Sequence, residues 1–169
     1  AGEIIAYAGR LGVVERLPHS LGDLVRVPAS EAALLAYCRN NVLHLFALPA
    51  LIACLLGHNR RLDARRLDEA VAGIYGLLRA ELFLRWPEAE LSGVVLRTLQ
   101  ALGALGVLES IDDGVAWRRP QPTSSRAIQL SLLSQAAVQT IERYYLASAL
   151  LLQAGTGQIS AKQLAERCQ

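Results

Sequence analysis

Between Val42 and Gly57 the chain runs for 16 residues without a charged side chain, interrupted only by His44 and Pro49. A stretch this apolar must leave water, and its length decides how. Crossing a bilayer takes about 20 apolar residues in a helix, so the run predicts a buried core helix rather than a span. A segment lying shallowly in a membrane surface is the other way to bury it. Pro49 has no amide proton and cannot bond the carbonyl of Leu45, so the helix is expected to kink or restart there.

The rest of the chain is consistent with a packed core. Apolar residues make up 53% and charged residues 19% of the 169, which excludes disorder and allows one ordinary domain or two small helical subdomains sharing a core. The net charge of +2 is too small and too dispersed to argue for nucleic acid, and the arginines read as a solvated face, with an anionic lipid surface as the weaker alternative. Cys38, Cys54 and Cys168 are odd in number and widely spaced, with no CxxC. They read as reduced thiols, with neither a metal site nor a disulfide framework, and no cofactor motif accompanies them. The chain opens on Ala1, contains no methionine, and stops at Gln169 inside a helix expected from near Ser160. It therefore reads as a piece of a longer protein.

Periodicity and turn residues divide the chain further. Residues 3–11 read as a helix end, and 13–16 and 23–27 as short strands around a turn at 18–22. Ser30 is an N-cap for the helix opening at Glu31, and Gly57, His58 and Asn59 form a turn after it. A third helix, from Asp63 or Asp68 to Arg85, carries the stripe Leu67, Val71, Ile74, Leu78 and Leu82. Trp86-Pro87 ends it, and a fourth begins at Glu88 with Leu91, Val94, Val95, Leu102 and Leu105 on one side, closed by Gly106. Strands at 107–109 and 115–117 flank Asp113-Gly114, a two-residue hairpin signal. After a polar linker at 120–125, a long helix follows with Leu130, Leu133, Ala137, Ile141, Tyr144, Ser148 and Leu151 on its apolar face.

The expected fold is mainly α, a helical module with one or two small β-hairpins in winged-helix-like helix–hairpin units. Residues 1–58 would hold the N-terminal hairpin and the apolar helix, and 59–169 a helical subdomain with its hairpin near 107–117. The winged-helix outline leaves open a binding module for DNA or protein. No expected helix shows the exposed Arg, Lys, Asn or Gln row that reading a groove requires. Trp86 and Trp117, at helix and hairpin ends, are expected to pack there rather than anchor at a membrane interface.

Polar chemistry inside the apolar context gathers at Arg39, Asn40, Asn41 and His44. On a helix Asn40 and Asn41 lie four and three residues before His44, on neighbouring positions. A guanidinium fork, two amides and an imidazole suit an anion, but spacing alone favours a network that satisfies the backbone near Pro49 or a contact to a partner domain. His58 and Asp63 satisfy an HxxxxD pattern. That pattern alone is weak, and His58 reads as an exposed turn histidine. No serine-hydrolase, P-loop or dinucleotide-binding signature occurs.

The run from Tyr37 to Pro49, YCRNNVLHLFALP, resembles the YYRNNVLHLFALP segment of the bacterial membrane-bound glycerol-3-phosphate acyltransferases. Leu21-Gly22-Asp23, Ile74-Tyr75, AELFLRW from Ala80 to Trp86, and Glu142-Arg143-Tyr144 fit the same family in the same order. Cys38 departs from the aromatic residue usual there. The resemblance implies transfer of an acyl group from acyl-CoA or acyl-carrier protein to the 1-hydroxyl of sn-glycerol 3-phosphate. It implies a peripheral enzyme of the cytoplasmic face of the bacterial inner membrane, with no cofactor and no nucleic-acid partner. The family's HxxxxD base and phosphate-holding residues lie upstream of the RNNVLHLF segment, so no catalytic residue is expected in this chain. Arg39, Asn40, Asn41 and His44 are then expected to meet substrate or the upstream acyltransferase domain.

Overall fold

The computed structural model describes residues 2–20, 22–155 and 157–167; Leu21 and Cys168 lie outside the described residues. The fold is mainly helical with two small antiparallel sheets, and the chain forms two compact units, Ala1–Leu43 and His44–Gln169.

The first unit contains α1 (Gly2–Arg10), β1 (Glu15–Leu17), β2 (Leu24–Arg26) and the opening of α2 (Ala32–His58). β1 and β2 pair antiparallel, with Glu15 opposite Arg26 and an ion pair of 2.7 Å between them. α2 begins at Ala32 after a turn in which Glu31 N–H bonds the Pro28 carbonyl; among the described residues Ser30 makes no side-chain cap. None of the described residues in this unit is buried. Ile4, Tyr7 and Leu11, at the i, i+3, i+7 spacing of one helix face, are all exposed.

The second unit contains the rest of α2, β3 (Arg61–Asp63), α3 (Ala64–Leu82), α4 (Leu91–Ala104), β4 (Glu109–Ile111), β5 (Ala116–Arg118), α5 (Ser125–Ala154) and α6 (Ala161–Arg167). The strands form one sheet in the order β3-β5-β4, antiparallel throughout. Helix, strand, two helices and a hairpin closing on the first strand make a winged-helix arrangement. Its core gathers Leu51, Ile52 and Leu56 of α2, Leu67, Val71, Tyr75 and Leu78 of α3, Leu91, Val95 and Leu99 of α4, and Trp117 of β5. Tyr75 is fully buried, and its hydroxyl donates to the Trp86 carbonyl at 2.8 Å. Burial pushes its phenol pKa up.

Several local expectations are corrected. α2 passes through Pro49 as one 27-residue helix instead of restarting. The missing hydrogen bond is outweighed by burial on both sides of it, at Ala47, Leu48 and Ala50 to Ala53. By length and composition this helix is apolar enough to cross a membrane, with a mean hydropathy of 1.7 over 18 residues, yet much of its second half is buried in protein. α3 stops at Leu82, short of Arg85, because Phe83 turns into the left-handed region (φ 52°). A 3-10 turn at Glu88–Glu90 precedes α4. The strands of the second hairpin sit two and one residues later than expected, at Glu109–Ile111 and Ala116–Arg118. Their loop is longer than two residues, because Ile111 pairs with Ala116 and Asp112, Asp113 and Gly114 all take positive φ.

Gly106 closes α4 as expected, with φ 68° and its N–H bonded to Gly103 while Val107 N–H reaches Leu102. Ser124 caps α5 by accepting from the Ala127 N–H at 3.1 Å. The buried face of α5 is Leu130, Ser134, Ala137 and Thr140; Leu151, expected on it, is exposed.

Candidate functional site

An apolar groove of about 490 Å³ lies on the second unit. Leu45, Phe46, Leu48 and Pro49 of α2 form one wall, and Val94, Ala101, Leu102 and Leu105 of α4 another. Leu84, Trp86 and Leu133 complete the apolar lining. The polar lining is small: His44, Arg97 and Thr98. The Thr98 hydroxyl donates to the Val94 carbonyl at 2.8 Å, satisfying its proton within the helix. Both His44 and Arg97 are exposed, which places the imidazole and the guanidinium at the opening. Sequence reasoning singled out His44 but missed Arg97 and the groove. The only signal was that Leu45 and Phe46 crowd the same helix as the buried run.

Arg39, Asn40 and Asn41 are exposed in the first unit, and the Arg39 guanidinium bonds the neighbouring Asn40 Oδ1 at 3.3 and 3.4 Å. His44 belongs to the second unit and lines its groove.

The HxxxxD match does not assemble a dyad among the described residues. His58 Nδ1 is held 2.9 Å from the Cys54 carbonyl, and Asp63 pairs with Arg61 at 3.8 Å. A catalytic imidazole of this type needs its Nδ1–H oriented by the carboxylate. Cys54 Sγ lies 3.9 Å from the same ring, but burial, with the charge of Glu142, pushes the thiol pKa up. That shift is opposite to the one an activated thiolate requires.

Parts of the stretches that carry the resemblance lie together within the second unit. Residues 44–49 supply one groove wall and AELFLRW supplies Leu84 and Trp86. Glu81 of the second stretch lies 3.9 Å from Arg143 on α5. A hydrogen bond to Glu81, with burial, raises the pKa of the adjacent Tyr144 phenol.

The second unit is thus a winged-helix-like unit that carries an apolar groove. Comparison with known proteins gives the family. The family model for the glycerol-3-phosphate acyltransferase C-terminal region matches residues 1–169, and the chain belongs to that family. It is 38% identical over 165 residues to a glycerol-3-phosphate acyltransferase of Pseudomonas aeruginosa, covering 98% of this chain and 20% of the relative. Proteins of the same name from Pseudomonas savastanoi and Pseudomonas putida are 36% identical over the same length. The chain thus spans about a fifth of the length of the curated relatives it matches. No solved structure matches it.

Proposed function

We propose that this chain is the C-terminal module of a glycerol-3-phosphate acyltransferase and supports the chemistry of an upstream domain. The observation that carries the reading is the full-length family match over only a fifth of the relatives. In the reaction, the 1-hydroxyl of sn-glycerol 3-phosphate attacks the thioester carbonyl of acyl-CoA or acyl-carrier protein. A base takes the hydroxyl proton, an ester forms, and the thiolate leaves and is protonated. His58, tied to a carbonyl, is poorly arranged for that base. His58→Ala in the full-length enzyme should leave turnover within about twofold of the parent; loss of turnover with intact folding would reverse this assignment.

Docking on the upstream domain is what the first unit needs. Its 43 residues bury no described side chain, and units near the lower limit of about 40 residues usually need a partner or a staple. Arg39, Asn40, Asn41 and His44 are proposed to face that domain or its substrate. Phe83 supports the same reading from the second unit: it is 89% exposed on a left-handed backbone, a strained conformation suited to presenting an anchor. The exposed stripe of α1 is suited to the same domain or to a lipid surface, in keeping with a peripheral enzyme on the cytoplasmic face of the inner membrane.

A DNA-binding role is less well supported. The exposed face of α4 offers Arg97 as its cation beside Ser92, Leu96 and Gln100, whereas duplex affinity requires several phosphate contacts. Hydrogen exchange tests the docking. Amides of residues 2–43 should exchange at least tenfold faster in the isolated chain than in the full-length enzyme, and equal rates would remove the proposed docking.

A further inference from the structure

We propose that four arginines at one end of the three-stranded sheet, Arg60, Arg61, Arg118 and Arg119, dock a carboxylate-rich segment of the upstream acyltransferase domain. The proposal rests on the reading of the chain as a C-terminal module, and adds to it a second contact surface with a partner of defined chemistry.

Strand register brings the arginines together. β3 pairs with β5 so that Arg61 stands directly opposite Arg118. The Arg119 N–H bonds the Arg60 carbonyl, which brings the next two arginines alongside. Like charges directly opposite in a sheet destabilise it, so the arrangement costs stability unless an anion answers it. Carboxylates of the module answer it in part. Arg118 Nε bonds Glu109 Oε2 at 2.6 Å, and Arg61 lies 3.8 Å from Asp63. Among the described residues Arg60 and Arg119 have no ion pair, in a chain whose whole net charge is +2. Arg119 Nη1 donates to the Gly57 carbonyl at 2.8 Å, and the buried Pro120 follows it. One guanidinium is therefore held in place before any partner arrives.

The form of the surface narrows the partner. Arg60, Arg118 and Arg119 line a recess of about 320 Å³ with Pro120 and Pro122, a space that admits a protruding side chain. A guanidinium fork meets a carboxylate through two parallel hydrogen bonds. Arg60 and Arg118 are exposed, so a single small anion gains little from each, because water and salt screen the pair. Several carboxylates on one segment bind together, and a segment tethered in the same polypeptide meets the surface at high effective concentration. The chain covers 20% of the length of its relatives, so most of such an enzyme is there to supply the segment. A lipid surface is less suited. Among the described residues, none of the exposed large apolar side chains lies within 57–66 or 116–122 to insert beside the cations. Duplex DNA is also less suited, since Asp112 and Asp113 at the turn of the same hairpin repel phosphates.

The test uses the full-length enzyme with Arg60→Lys or Arg118→Lys, which keep the charge and place a primary amine in the recess. A carbodiimide then joins that amine to any carboxylate in contact, and mass spectrometry maps the amide formed. At least one variant is expected to link to an Asp or Glu upstream of this chain. Raising the salt to about 1 M, where the screening length is about 3 Å, should cut the yield roughly fivefold or more. Links confined to Glu109 or other carboxylates of residues 1–169, links only to a separate protein molecule, or a yield indifferent to salt would each overturn the proposal. If no upstream link forms and Arg60→Glu with Arg118→Glu strips the enzyme from phosphatidylglycerol vesicles, the surface belongs to lipid and the proposal falls. Slow exchange of residues 2–43 in the full-length enzyme, alongside no upstream link, would remove this surface and leave the module reading standing.

Discussion

Replacing Trp117 by alanine lowers the stability of the chain by about 3–5 kcal/mol, the usual loss when a large buried aromatic leaves a cavity. Trp117 is 4% exposed on β5, the middle strand of the three. Its ring lies against α4 where Gly103 leaves room: a Cβ at Gly103 would stand 2.8 Å from the indole Cζ3. Gly103→Ala should therefore destabilise on its own by about 1–3 kcal/mol, since neither helix nor indole can yield that distance without strain. In the Trp117→Ala background the same change should become neutral or stabilising, because alanine is favoured over glycine inside a helix by about 1 kcal/mol. The two substitutions form a double-mutant cycle in which the pair together costs less than the sum of the single changes. Trp117→Phe should cost less than the alanine change, partly because the buried indole N–H has no hydrogen-bond partner among the described residues. Urea unfolding followed by circular dichroism measures all four, and a loss below about 1 kcal/mol for Trp117→Ala would contradict the packing described.

Arg39→Ala in the full-length enzyme is the substitution expected to affect activity most. Arg39 is exposed, bonded only to the adjacent amide among the described residues, and set in a helix otherwise rich in apolar side chains. If it meets a carboxylate or phosphate of the upstream domain or substrate, its loss leaves that group buried and unpaired, costing about 2–5 kcal/mol. Turnover or assembled enzyme should then fall roughly thirtyfold or more, since about 1.4 kcal/mol is a factor of ten. Arg39→Lys should recover part of the loss, keeping the charge but not the planar fork. Near-normal turnover and expression of the alanine variant would remove Arg39 from the interface.

The helices were legible because their buried stripes repeat at helical spacing: Leu67, Val71 and Leu78 are core residues of α3 as the sequence alone predicts. β3 was not legible. Arg61-Leu62-Asp63 has no apolar alternation, and it is a strand only because β5, more than fifty residues later, pairs with it. Pro49 did not end α2 because a local rule met strong burial, and Asp113-Gly114 misled as to loop length because Asp112 also accepts positive φ and lengthens the turn. The groove was invisible for a related reason. Periodicity placed Leu105 with the α4 core stripe, but it is 61% exposed and lines an opening that depends on how α2 and α4 are spaced. A pattern marks which face is apolar, and tertiary packing decides whether that face is covered. His44 was recognised as a candidate by its chemistry, while Arg97 lay unmarked among the apolar residues of α4.

The most direct test of the central claim is glycerol-3-phosphate acyltransferase activity, measured for the 169-residue chain beside the full-length product of the same gene. An active full-length enzyme and an inert chain are the predicted result, placing the catalytic groups upstream. Turnover by the chain alone would contradict the account and return His58 and Asp63 to the role their geometry here denies them.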